Sequence, residues 1–189
     1  MQTIDREEFK NRMFRIRYVL HMAWVDSYGL DVIDDVIKKS EDSYKIDKHL
    51  ISMLNHYRKL MQYDLCLSIT RMYEKSGNNS LKNIQSIAMG FRIGNWGKFP
   101  KISASAWNKI VAFRNSYLAH LDIEASADPI TNNEMKELLR QATDFYNSVC
   151  NNTGEPDLAL TSNELSRLHL QRIFDFMSVT QPHMELKDE

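Results

Sequence analysis

Residues 44–74 read YKIDKHLISMLNHYRKLMQYDLCLSITRMYE, and this stretch decides the fold. Apolar side chains recur in it at every third or fourth position, which puts them on one face of a helix. This face contains Ile46, Leu50, Leu54, Tyr57, Met61 and Leu65. The polar run Ser-Gly-Asn-Asn at 76–79 is a strong stop signal. The stretch therefore predicts one long amphipathic helix.

The segments on either side of this helix also have helical spacing. Apolar residues recur across 3–25, and we expect Gly29 to break that helix before a shorter one at 32–39. On the other side, Ser80 can cap a short helix that ends near Met89, and a loop rich in Gly and Pro follows.

Three more helices are predicted beyond residue 100. The first is capped by Ser103 or Ser105 and runs to about residue 121. The others begin with the capping boxes TNNE at 131–134 and TSNE at 161–164. No alternation typical of strands competes with these patterns. We therefore expect an all-α, single-domain helical bundle of about six to seven helices over residues 1–178, with a polar tail at 179–189.

Composition narrows the class of protein. The chain has 189 residues, 43% of them hydrophobic, which suits one domain with a sizeable core. Cys66 and Cys150 lack metal-ligand or redox spacing, so we expect neither a disulfide scaffold nor a metal site. A charged N-terminus and the absence of a long apolar run favour a soluble, cytoplasmic protein without membrane association.

The charge distribution is uneven. Residues 75–121 contain seven Lys or Arg and no Asp or Glu, although the whole chain has a net charge of −1. This acid-free segment indicates a polyanionic partner, and RNA is the one we expect.

The helix at the end of this segment contains Arg114, Asn115 and His120. Its predicted apolar stripe is Trp107, Val111, Leu118 and Leu121, and Arg114 falls within it. A guanidinium on a buried face needs a carboxylate, a phosphate or an open groove. It could pair with Asp64 or Asp122, in which case His120 would be an ordinary hydrogen-bonded side chain.

Arg15 and His21 repeat the Arg–His spacing. They lack the Asn, and acids precede them, so we assign them no role.

An Arg-Asn pair followed four residues later by His, on a late helix of an all-α domain, resembles the signature of the HEPN superfamily, named for higher eukaryote and prokaryote nucleotide-binding domains. Residues 64–73 and 118–122 are similar to its abortive-infection U-type branch of phage-defence proteins. The resemblance covers about residues 44–122. It implies a metal-independent endoribonuclease that acts as a homodimer without a cofactor, and a possible antitoxin or other defence-system partner.

The resemblance also implies roles for the motif. His120 would be the general acid and base, Arg114 would bind the scissile phosphate, and Asn115 would orient the site. These roles suit the residue types, because His titrates near neutral pH and Arg stabilises growing phosphate charge. Some family members have a Tyr two residues after the His that is modified by the antitoxin. This chain has Asp122 there, and we do not transfer that role to Tyr117.

Two further groups of residues could support the site. Asp64, Ser68 and Arg71 share one helix face, and they would form either an internal network or the wall of a cleft, with Arg71 as a second phosphate contact. Near the acid-free helix, the aromatic and basic residues could stack and hold RNA, or the aromatics could simply anchor the loop. The residues proposed to contact RNA here are Trp96, Lys98, Lys101 and Lys109.

The alternative to an enzyme is a non-catalytic module of the same fold that binds nucleic acid, a nucleotide or a partner protein. A purely structural role would require acids from elsewhere to be packed over the acid-free segment.

Overall fold

The computed structural model describes residues 5–43, 48–75, 77, 79–90, 99–119, 130–159, 167 and 170–171, excluding the side chains of 40–43 and 116–119. These residues form five helices and no strand, so the described part of the chain is all-α as predicted. The helices are α1 (Arg6–Ser43), α2 (Lys48–Tyr73), α3 (Leu81–Gly90), α4 (Ala104–Ala119) and α5 (Asn132–Thr153). The predicted last helix, with its capping box at 161–164, and the polar tail lie outside the described residues.

The predicted break at Gly29 is wrong, because α1 is one helix of 38 residues that continues through Gly29. Gly29 lies against Met61 of α2, and a Cβ atom added to it would be 2.8 Å from the Met61 sulfur. A glycine inside a helix costs about 1 kcal/mol relative to alanine. Here the cost is offset by close packing, since the missing side chain lets two helices approach.

Helices α1 and α2 pack antiparallel. Gly29 is opposite Met61, and five residues further along α1 the Asp34 carboxylate accepts from Arg58 at 2.6 Å, three residues earlier in α2. Helix α2 ends at Tyr73, as the stop signal predicts. Residue Ser80 then caps α3, its Oγ accepting from the Asn83 backbone N–H at 3.3 Å.

Helix α5 has the caps that its sequence predicts. The Thr131 hydroxyl accepts from the Glu134 N–H, and the Glu134 carboxylate accepts from the Thr131 N–H. At the other end, Gly154 has a φ of 72°, the left-handed conformation that glycine adopts without strain. Helix α5 is held to α1 by a buried bond from Trp24 Nε1 to Thr143 Oγ1 at 3.0 Å.

One hydrophobic core joins all five helices. It includes Leu20, Leu65, Leu81, Ile110 and Met135, each fully buried. Both cysteines are free and buried, and burial raises the pKa of Cys66 to about 12 and that of Cys150 to about 11. The thiols therefore serve packing, because a buried thiol that resists ionisation is a poor nucleophile.

Candidate active site and nucleic-acid interface

Helix α4 positions the Arg-Asn motif. Its cap is Ser103, whose Oγ accepts from the Ala106 N–H at 3.1 Å. The helix buries Ile110 and Phe113, whereas Trp107 and Val111 are only half-buried. The predicted stripe was therefore wrong in register at these two positions, and its other two members, Leu118 and Leu121, lie outside the described side chains.

Arg114 lies at the edge of the buried face of α4, where it is half-buried. Its Nε and Nη2 both donate to the Asn115 side-chain oxygen, at 3.4 and 3.3 Å. A guanidinium has five N–H donors, so with respect to the described residues Nη1 and part of Nη2 are available for a ligand. The pair thus presents a cation whose orientation is restrained by its exposed neighbour.

Arg114 has no carboxylate partner among the described residues. The proposed partner Asp64 is exposed on α2 and forms no ion pair with Arg114. The internal pairing with Asp64 is therefore wrong, while Asp122 lies outside the described residues. At half-burial the charge of Arg114 keeps access to solvent, which avoids the cost of an unpaired ion in a core.

The structure describes only part of the second half of the motif. Helix α4 continues to Ala119, so the backbone of Tyr117 is helical. The side chain of Tyr117 lies outside the described part of the structure. His120 follows directly and lies outside the described residues. The proposed action of Arg114 and His120 in one site therefore stays a prediction.

Lys109 is occupied by an internal contact. Its Nζ is 3.1 Å from Glu134 Oε1 of α5. Hydrogen bonds from the Thr131 backbone and from Lys109 hold the pKa of Glu134 below its usual range. Lys109 thus ties α4 to the capping box of α5, an arrangement that the sequence pattern did not indicate.

Three other basic residues of the acid-free segment differ from Lys109. Lys75, Lys82 and Lys101 are exposed, and none forms an ion pair with a carboxylate of the described residues. Within the described ranges, no acid pairs with these three lysines as a purely structural role would require.

The loop before α4 is described only from Phe99. This ring packs edge-on against Phe145 of α5 with a centroid distance of 5.2 Å, so Phe99 anchors the loop to the core. Two of the proposed RNA contacts, Trp96 and Lys98, belong to this loop and lie outside the described residues.

The shared face of Asp64, Ser68 and Arg71 is not an internal network. Asp64 and Arg71 are exposed, Ser68 is half-buried, and no hydrogen bond joins the three within the described part of α2. The buried side of α2 is formed instead by residues such as Leu65 and Ile69. The internal network is therefore wrong, and the wall of a cleft stays a prediction.

A titratable group that the sequence pattern did not single out lies between α1 and α2. Burial, and second the charge of Asp64, raise the pKa of Asp26 to about 7. The two acids are far apart in sequence and meet only because the helices are antiparallel. Nothing in the local pattern around Asp26 could have indicated this contact.

The described residues also bear on metal binding and on membrane insertion. In the described ranges, no three His, Cys, Asp or Glu side chains are grouped so that they could hold a metal ion. No described helix combines the length and apolar character needed to cross a membrane. Comparisons with models of known families, with curated proteins and with solved structures give no match for this chain.

Proposed function

We propose that this protein is a metal-independent endoribonuclease of a phage-defence or toxin system, active as a homodimer. The observation that supports the proposal best is the state of Arg114. Its guanidinium is accessible, is held by Asn115, and has no carboxylate partner in the described residues. A cation in this state suits the binding of a phosphate.

In the proposed reaction, the 2′-hydroxyl of RNA attacks the adjacent phosphorus. The bond from 2′-oxygen to phosphorus forms while the bond from phosphorus to the 5′-oxygen breaks. His120 accepts the proton of the 2′-hydroxyl and a proton is returned to the leaving 5′-oxygen, giving a 2′,3′-cyclic phosphate and a 5′-hydroxyl. Arg114 neutralises the charge that grows on the phosphate oxygens.

The contacts of Asn115 suit its proposed orienting role. Because two guanidinium nitrogens converge on one amide oxygen, the plane of the Arg114 guanidinium is restrained. A restrained fork loses less entropy when it binds a phosphate with two parallel hydrogen bonds.

Exposed cations supply the proposed contacts to the rest of the RNA. Lys101, which lies three residues before α4 begins, is exposed, and so is Arg71 of α2. Trp96 and Lys98 keep their proposed roles as stacking and phosphate contacts. Lys109 is a weaker candidate for an RNA contact than the exposed lysines, since binding RNA would compete with its ion pair to Glu134.

The test is cleavage of a mixed RNA pool in the presence of a chelator, comparing the wild type with Arg114→Ala and His120→Ala. We expect cyclic phosphate ends from the wild type and their loss in both variants, with unchanged circular dichroism and oligomeric state. Arg140→Ala is a matched control, because Arg140 is exposed on α5 and, among the described residues, its ion pair is with its helical neighbour Glu137. Equal cleavage by all proteins would contradict the proposal.

Binding of the pool without any cleavage would instead favour the non-catalytic module. In that case Arg114→Ala would weaken binding, whereas His120→Ala would leave it unchanged.

A further inference from the structure

Trp107 of α4 differs from the buried tryptophan of this fold. Trp24 is buried, its Nε1 donates to Thr143 at 3.0 Å, and its ring stacks on Tyr28 with a centroid distance of 5.5 Å. A buried indole N–H usually has such a partner. Trp107 is half-buried, and within the described part of the chain its N–H has no acceptor and its ring has no aromatic neighbour. With respect to those residues, the ring and its N–H are available to a ligand.

Trp107 lies on the same face of α4 as Arg114. Residues at i, i+4 and i+7 share one face of a helix, and Trp107, Val111 and Arg114 have this spacing. The three are within about 60° of one another around the helix axis, and Trp107 and Arg114 are about 10 Å apart along it. All three side chains are half-buried. We refer to these three residues as the α4 strip.

The α4 strip faces away from α5. Lys109 Nζ is 3.1 Å from Glu134 of α5, and Lys109 is about 160° from Trp107 around α4. The buried residues Ile110 and Phe113 lie between these two directions. The strip is therefore at the edge of the core, on the side of α4 opposite the ion pair.

The start of α4 is held in place around Trp107. The Trp107 backbone N–H donates to the Ser103 carbonyl at 2.9 Å, and the Ser103 hydroxyl caps the helix. Phe99, which precedes the helix, packs on Phe145 of α5. The indole and the guanidinium thus extend from one anchored helix. A ligand that contacts both would have to order little of the protein when it binds.

The charge of the α4 strip selects its ligand. Helix α4 contains no Asp or Glu, and Arg114 has no carboxylate partner among the described residues. An apolar partner that covered the strip would leave this guanidinium desolvated and unpaired, which is costly. A nucleotide instead supplies a phosphate for the guanidinium and a flat base for the indole.

We propose that Trp107 is the base-stacking residue of the Arg114 site. Arg114 binds a backbone phosphate, the indole of Trp107 stacks a base of the same strand, and Val111 forms an apolar floor between them. This inference rests on the proposed function and names its substrate class as single-stranded RNA, because stacking on a side chain requires a base that is not stacked within a duplex.

The experiment measures binding of an unstructured, fluorescein-labelled 2′-O-methyl RNA of about 15 nucleotides, which cannot be cleaved because its 2′-oxygens are blocked. The variants are Trp107→Leu, which keeps an apolar side chain without a flat ring, and Trp107→Phe, which keeps a ring. Phe14→Leu is the matched control, because Phe14 is a 69% exposed ring on α1, which packs on α2, α3 and α5. Circular dichroism checks that each variant is folded.

We expect Trp107→Leu to weaken binding at least about fivefold, while Trp107→Phe stays within about twofold of the wild type and Phe14→Leu is unchanged. The salt dependence should stay the same in Trp107→Leu, because no charge is removed, and should fall in Arg114→Ala. Annealing the probe to its complement should abolish the effect of Trp107→Leu. A 5-iodouridine in the probe should photocross-link to Trp107, as read by mass spectrometry.

Wild-type affinity in Trp107→Leu, or no binding of the probe by the wild type, would overturn the inference. So would a change of Trp107→Leu from dimer to monomer at unchanged affinity, because the α4 strip would then be an interface between copies.

These outcomes are independent of cleavage. If Trp107→Leu binds the probe like the wild type while Arg114→Ala still abolishes cleavage, this inference fails and the proposed function stands. If the probe binds through Trp107 and no RNA is cleaved, the nuclease proposal fails and the stacking role of Trp107 stands.

Discussion

Arg114 and Asn115 are consecutive in sequence and bonded side chain to side chain, with two guanidinium nitrogens on one amide oxygen. Neighbours on a helix are about 100° apart, so this contact requires the long Arg side chain to bend toward its shorter neighbour. The bond keeps the cation at the rim of α4, away from Ile110 and Phe113 in the core.

This relationship predicts graded losses of cleavage. Under the proposed function, Arg114→Ala should lower kcat/KM by about 100-fold or more, since it removes the cation proposed to bind the scissile phosphate. Arg114→Lys should recover part of the rate, because a point charge replaces the fork. Asn115→Ala should cost about tenfold, mainly through orientation. Steady-state cleavage of one defined RNA checks the order, and a larger effect of Asn115→Ala than of Arg114→Ala would contradict it.

The ion pair between Lys109 and Glu134 predicts a loss of stability from Lys109→Ala. The pair is partly exposed, so we expect a coupling of about 0.5–1 kcal/mol in a double-mutant cycle with Glu134→Gln, measured by urea unfolding. RNA affinity should fall less than in Lys101→Ala, whose lysine is exposed. If Lys109→Ala instead weakened RNA binding and left stability unchanged, a direct contact of Lys109 with RNA would be indicated.

The position of Asp26 predicts a dependence of stability on pH. Its folded-state pKa of about 7 exceeds the ordinary 3.8, so the folded state holds the proton more tightly. The contribution of Asp26 is thus most favourable at low pH and declines as the pH rises from about 4 to 7, where it levels off.

Asp26→Asn should therefore stabilise the protein at about pH 8, by on the order of 1–2 kcal/mol after allowing for the partial exposure of the group. The gain should shrink toward pH 5. Urea unfolding of both proteins across this range cancels the titration of the histidines, which they share. A gain of equal size at every pH would contradict a raised pKa.

The contact of Gly29 with Met61 predicts that the size of the side chain at position 29, and not its helix propensity, limits which residues can replace Gly29. Gly29→Ala should change stability by less than about 1 kcal/mol, since better helix propensity offsets a shift of the flexible Met61 thioether. Gly29→Leu should destabilise by about 2–3 kcal/mol through overpacking. Gly90→Leu is the matched control, because no atom lies within 4 Å of a Cβ built there. Thermal unfolding would show the difference, and equal effects at both glycines would argue against close packing at Gly29.

Local signals in the sequence were sufficient for most helix ends. The Thr131 capping box, the Ser80 cap and the stop after Tyr73 all depend on groups a few residues apart, and all three predictions are confirmed. The all-α class followed from the same patterns, since apolar spacing of three and four residues is specific to helices. The motif of Arg114 and Asn115 was also visible as a pattern.

Long-range contacts decided the rest. The local sequence predicted that Gly29 breaks the helix, whereas its contact with Met61 of α2 makes it a packing position. Lys109 reads as a free cation, yet α5 supplies Glu134. Trp107 and Val111 were predicted to lie on the apolar stripe of α4, whereas the packing of that helix leaves them half-buried. The sequence by itself determined the helices and their caps, because those interactions are local. Only the tertiary structure decided which faces are buried, which charges are paired and which stay exposed, because those depend on residues distant in the chain.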